Sequence, residues 1–296
     1  MKPLVLSVLL APGLALAGTP INETREVDAT ARIDVSNVKG AVNVSAWDKN
    51  EVAISGTLGD GAKRLAIDGG RGSLSIRVEG PDKSRGWGSD TSMQETILDL
   101  KVPRAAALEI GVVSAEVAVN DTSGGNVQVD SVSGRIRLAS VQSPRLRLES
   151  VSGDIDFQGR SDDASIETVS GDMIVRGVGG RTRAETVSGS MRINAASPFK
   201  QFDASSVSGD MEITGALASG GRVEIETMSG DVRLNLPAAV SAKITAESFS
   251  GTLRSDFGTV RKPDRGPGTS LDASAGSGDG EISVDSFSGD VTIRKE

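Results

Sequence analysis

Between Ser131 and Ile293, apolar and polar residues alternate around one recurring phrase, Ser-Val-Ser-Gly-Asp or a close variant. Take Gly134, Gly153, Gly171, Gly189, Gly209, Gly230, Gly251 and Gly289 as the origin of each repeat. Two residues before the glycine stand Val132, Val151, Val169, Val187, Val207, Met228, Phe249 and Phe287; two after stand Ile136, Ile155, Met173, Met191, Met211, Val232, Leu253 and Val291. The residue four after is apolar in every repeat except the one that carries Ser255. Period-two alternation predicts strands with one buried face. It places these residues and the glycine on the inward side, where a missing side chain lets backbone come close. A second apolar pair precedes the glycine by seven and five residues, as in Leu146 with Leu148, Phe202 with Ala204 and Ile244 with Ala246. Its parity is opposite to that of the first set. One unbroken strand cannot bury both, so the pattern predicts a corner three or four residues before the glycine.

The phrase returns about every 18 to 21 residues, a period typical of stacked repeat architectures. The expected fold is all-β: a single-chain parallel β-solenoid with two strands per repeat and turns about 4.8 Å apart. A sandwich or barrel of hairpins would also alternate but would not need the same phrase in every repeat. Earlier in the chain, Ile33, Val35, Val38, Val42 and Val44 follow the inward register around Gly40. Leu108, Ile110, Val113, Val117 and Val119 follow it around Ala115. The chain therefore divides into a leader at 1–17, an N-terminal β region and cap at 18–107, and regular repeats at 108–296 with a Pro- and Gly-rich insert near 256–280. Val291 to Ile293 would form the last rung, with an open edge on which a partner strand could dock unless the insert covers it.

Composition narrows the chemistry. Met1 to Ala17 has a short charged start, an apolar stretch and Ala15-Leu16-Ala17 as a cleavage site, the pattern of a secretory signal peptide. The expected location is the periplasm, with no transmembrane segment in the mature chain. Cysteine and histidine are absent, which removes disulfides, zinc sites, cysteine nucleophiles and serine mechanisms with a histidine base. No cofactor is implied. A formal net charge of −8 argues against nucleic acid and anionic lipid as partners, leaving an envelope protein or glycan.

Three stretches carry a resemblance. Asn37-Val38-Lys39-Gly40-Ala41-Val42-Asn43-Val44-Ser45-Ala46-Trp47-Asp48 is followed closely by Glu51-Val52; Leu100-Lys101-Val102-Pro103 leads into a new turn; and Ser-Gly-Asp recurs in series. In this order they resemble an uncharacterised family of bacterial cell-envelope proteins with β-strand repeats, provisionally classed as adhesins. The resemblance implies a β-solenoid in the envelope and supplies no catalytic residues.

Two acidic rows stand out. Four residues before the glycines lie Asp130, Glu149, Glu167, Glu185, Ser205, Glu226, Glu247 and Asp285. In stacked turns, Glu149, Glu167, Glu185, Glu226 and Glu247 would form a candidate cation- or polymer-binding edge, against the plainer alternative of a solvated ridge partly compensated by Arg147 and Arg183. Asp154, Asp172, Asp210, Asp231 and Asp290 follow their glycines directly and make a second row. The Ser or Thr three before each glycine and the Ser just before it suggest hydroxyl rows that bond the corner backbone, or else a flat face for ice or glycan. Trp87, in a Gly-rich stretch, is a candidate contact residue. Ser197-Pro198-Phe199-Lys200 has the spacing of penicillin-recognising enzymes without their partner motifs. A β-helix enzyme acting on envelope polysaccharide would need long cleft-forming loops and clustered acids. Most connections here are short, which favours a non-catalytic scaffold or binding module.

Overall fold

The structure is a computed structural model that describes residues 18–80, 93–264 and 266–296. Among these residues twenty-one strands join one sheet system and no helix forms. Val, Ile, Ser and Thr at alternating positions favour a pleated surface with one buried face. The pairing follows the repeat. Leu148 lies beside Ile166, Ile166 beside Ala184 and Ala184 beside Ala204, all in parallel register. After the glycine, Ile136, Ile155, Met173, Met191, Met211 and Val232 stack in the same way. Each repeat thus contributes two strand segments to a stack of rungs, with buried residues such as Ile166, Phe157 and Val175 inside.

The corner lies elsewhere than the alternation suggests. Strand Leu146–Ser152 runs on to the residue before its glycine, and the next strand starts at Ile155. The chain turns at the glycine and the residue after it. The buried set before the corner therefore comprises the residues seven, five and three before the glycine, such as Leu146, Leu148 and Ser150. The residues two before it face outward. Val132, Val151, Val169, Val187 and Val207 are 46–49 % exposed, and Met228, Phe249 and Phe287 are 51–60 % exposed. Val38 and Val113, also expected inside, are exposed as well.

The reason is space at the corner. Glycine stacks on glycine there: a Cβ on Gly171 would strike the Gly153 carbonyl, and one on Gly230 (φ +137°) would strike that of Gly209. Only small side chains fit on the inner side next to such a bend. Thr168 and Thr186 are buried there without a hydroxyl partner, whereas Ser248 donates to the Gly289 carbonyl at 3.0 Å. The exposed serines just before the glycines reach the preceding rung: Ser133 donates to the Val113 carbonyl at 3.2 Å and Ser152 to that of Val132 at 3.4 Å.

At the N-terminal end, strand Arg32–Trp47 pairs in parallel with Ala107–Asn120 on one side. On its other side it meets two separate strands, Ser73–Glu79 and Thr96–Pro103. Antiparallel strands continue outward from these: Arg64–Gly70 on the first, and Glu51–Leu58 then Thr19–Glu26 on the second.

The C-terminal end corrects a second expectation. Val291 to Ile293 does not form an open last rung. Val291 lies between Val232 and Leu253, and Ile282 lies between Val223 and Ile244. The rung of Gly289 is thus inserted between those of Gly230 and Gly251, so both edges of Val291–Ile293 are occupied and no partner strand can dock there. The outermost rung is Ala242–Ser248 with Leu253–Ser255, and Thr269–Ala275, from the insert, pairs antiparallel along Ala242–Ser248. Insertion satisfies backbone donors and acceptors on both edges of the final strand, an arrangement that chain order does not reveal.

Candidate functional site

On a strand, residues two apart share a face. The outward apolar residue of each rung and the acidic residue two positions earlier therefore stand side by side, and parallel register extends both into rows. The acidic row follows directly from the pairing: Asp130 lies opposite Glu149, which lies opposite Glu167, followed by Glu185, Ser205, Glu226, Asp285 and Glu247. Next to it runs the apolar row, from Val38 through the valines to Met228, Phe287 and Phe249.

The two rows line an open trough. One reach, of about 930 Å³, extends from Val38 to Val207, and the charged residues lining it are Asp130, Glu149, Glu167 and Glu185, with no Lys or Arg among them. It meets a second reach of about 1030 Å³ at Thr186, Ser205 and Val207. There the apolar row ends in Phe287 and Phe249, whose rings stack with centroids 5.1 Å apart and an interplanar angle of 10°. The insert forms the wall, with Arg261, Lys262 and Pro263 facing Glu226, Glu247 and Asp285.

The acidic row is a line of separate side chains. Arg147 pairs with Glu149 and Arg183 with Glu185, and the bond to Glu149 raises the pKa of Arg147 further. Ser165 donates to Glu167 at 3.1 Å, Gln128 to Asp130 at 2.9 Å and Ser283 to Asp285 at 3.1 Å. These pairs are exposed and individually weak. They run along the strands and hold the carboxylates upright beside the apolar row. Among the described residues no three acidic groups converge to hold a metal ion, so the five glutamates singled out from the sequence share a row but not a coordination pocket. Trp87 lies outside the described residues.

The second acidic row has a different task. The Asp154 carboxylate accepts from the Asp172 N–H at 3.2 Å, and that of Asp172 from the Ser190 N–H at 2.8 Å. Asp210 accepts from the Asp231 N–H at 2.9 Å, Asp231 from the Asp290 N–H at 2.9 Å, and Asp290 from the Thr252 N–H at 2.9 Å. Each aspartate ties its corner to the next rung. The Thr252 backbone bond, then the Thr252 side chain, with Arg254 adding attraction, hold the Asp290 carboxyl below the usual carboxylate range; hydrogen bonds to the charged form act in this direction. Ser190 interrupts the row.

The alternation placed the apolar row in the core and so missed it as a surface. Two signals pointed outward. In the eight Ser-Gly repeats the residue between it and the acidic row is a small Ser or Thr, and the apolar residue grows from Val to Met to Phe without any matching change in the inward set.

No curated protein matches the chain. A solved structure from Parabacteroides distasonis ATCC 8503, provisionally named a lipid-binding protein, is similar at 12% identity and a TM-score of 0.52, over 95% of this chain and 99% of that one. A provisionally named adhesin from Bacteroides fragilis NCTC 9343 is similar at 13% identity and a TM-score of 0.46, over 93% and 97%. Another, from Parabacteroides merdae ATCC 43184, is similar at 11% identity and a TM-score of 0.42, over 94% and 97%. At such identities the first likeness is one of fold. Residues 22–294 match the family described as Toastrack DUF4097, which bears out the resemblance carried by the opening motif, Val102-Pro103 and the serial Ser-Gly-Asp corners, and the chain belongs to that family.

Proposed function

We propose that this protein is an exported, non-catalytic binding module of the bacterial envelope, adhesin-like in form, whose stacked rungs make a parallel β-solenoid and whose recognition surface is the trough. The observation that carries this is the row of half-exposed apolar side chains, one per rung over ten successive rungs. Contiguous exposed apolar surface on this scale is characteristic of interaction sites. A stack of rungs suits such a role because each rung braces its neighbours and holds the row straight. The envelope location is supported by the leader pattern of Met1–Ala17, which itself lies outside the described residues. Among the described residues no helix is long and apolar enough to cross a membrane. The provisional name of the structural neighbour from Parabacteroides distasonis, a lipid-binding protein, agrees with a binding role.

The alternative, an enzyme acting on envelope polysaccharide, is less well supported, because the aspartates at the corners are engaged in backbone bonds between rungs. The test uses Nile red, a neutral dye that fluoresces in apolar surroundings. It should bind the folded protein, and the triple variant Val151→Thr, Val169→Thr, Val187→Thr should lose most of that signal while melting near wild type. Equal signal from both proteins would remove the trough as a binding surface.

A further inference from the structure

Resting on the trough as a binding surface, we infer that its occupant is a basic amphipathic α-helix of a partner polypeptide, lying along the stack. Charge selects the sign. The first reach is lined by four carboxylates and by no Lys or Arg. Arg147 and Arg183 pair with Glu149 and Glu185 from two residues further along the strand, away from the apolar row. The lining therefore stays acidic on balance and attracts a cationic ligand. A second copy of this chain would bring acidic row against acidic row, and an anionic headgroup would meet the same repulsion.

Spacing selects the helix. The rungs repeat about every 4.8 Å. Anchors at i, i+3 and i+7 on a helix advance on average by about 3.5 residues, roughly 5.2 Å, a mismatch of about half an ångström per rung. An extended peptide presents same-face side chains about every 6.6 Å and is out of step after one rung. The seven rungs from Val38 to Val207 span roughly 29 Å, or about 19 helical residues at 1.5 Å each. The acidic row lies two residues along the strand from the apolar row, about 6.6 Å to one side. Long Lys or Arg side chains flanking an apolar helical stripe reach that far, as flanking charges do in paired helices.

The experiment measures fluorescence anisotropy of three synthetic 20-residue peptides with the full chain: a Leu stripe flanked by Lys, the same stripe flanked by Glu, and a scramble of the first that destroys the stripe. The Lys-flanked peptide should bind and gain helical circular dichroism. The Glu-flanked peptide and the scramble should bind at least 10-fold more weakly. The triple variants Val151→Thr, Val169→Thr, Val187→Thr and Glu149→Gln, Glu167→Gln, Glu185→Gln should each lose at least 10-fold for the first peptide. Val169→Lys, a single exposed change, should weaken the Lys-flanked peptide and strengthen the Glu-flanked one. Comparable binding of the scramble would reduce the effect to charge attraction and overturn the helix. Comparable binding of the Glu-flanked peptide would overturn the basic partner while leaving the trough a binding surface. Tighter binding to zwitterionic vesicles than to any peptide, or a wild-type dimer in sedimentation that the valine triple dissolves, would replace the helix with lipid or a second copy. If Nile red binds the trough but no peptide does, only the helical partner fails; if neither binds, the binding role fails with it.

Discussion

At Gly171 a methyl group has nowhere to go, because the Gly153 carbonyl occupies the place where a Cβ would sit. The contact is backbone against backbone, so no side chain can swing aside to relieve it. Gly171→Val should therefore push two rungs apart at the corner. Overpacking of this kind typically costs about 1–3 kcal/mol. Since each rung touches only its neighbours, the loss should appear first as local opening around Thr168–Met173 rather than as global unfolding. Thermal melting with hydrogen exchange checks this; a variant that melts like wild type with unchanged exchange would mean that the glycine corners are not closely stacked. The same crowding explains why Thr168 and Thr186, polar but small, take the inner position while Val169 and Val187 are left in water. Alternation alone reports that two residues face opposite ways, not which of them faces in.

At the level of the strand and its corner, the repeat was legible where every rung must do the same thing. The parity conflict between Leu146–Leu148 and Ile155–Phe157 requires a corner, and parallel register brings Glu149, Glu167 and Glu185 into line. The position of the corner was not legible, because Ser-Gly-Asp is as compatible with a strand end as with a strand interior until the backbone bond of the aspartate is seen. That bond makes the corner pH-sensitive. The Asp290 carboxyl is held below its usual range chiefly by the Thr252 N–H. A carboxyl whose folded pKa is depressed contributes stability that is fully present above the unfolded carboxylate pKa and is lost as pH falls through the lower folded value. Asp290→Ala should thus melt below wild type at neutral pH, and the gap should narrow as pH drops below the carboxylate range. A gap that stays constant from neutral to acid would mean that the aspartate acts through packing rather than through its charge. Ser190, which interrupts the row, offers the converse change, since an aspartate there would extend it.

For the whole molecule, the order of rungs in space differs from their order in the chain. Eight near-identical repeats could stack in sequence, and nothing in the phrase around Gly289 distinguishes a terminal rung from an inserted one. The doubled spacing between Gly251 and Gly289 was the one visible irregularity. Its physical content is that the chain first lays down the Gly251 rung, covers its outer edge with Thr269–Ala275, and then returns to fill the gap beside Gly230. The last residues are thereby enclosed. The Val291 N–H donates to the Thr252 carbonyl at 2.8 Å, and Val291 lies between Val232 and Leu253. Chain termini ordinarily fray and exchange their amides fast. Here the amides from Val291 to Ile293 should exchange as slowly as those of the central rungs and more slowly than those of Thr269–Ala275, which form the outer edge. Native-state hydrogen exchange followed by mass spectrometry resolves the two segments. Fast exchange at Val291–Ile293, with protection at Leu253–Ser255, would show that the Gly289 rung is not inserted and that the stack ends as the chain does. Slow exchange at both Val291–Ile293 and Leu253–Ser255 would mean that the Gly289 rung locks the Gly251 rung in place, so that the end carrying Phe249 and Phe287 is held from both sides.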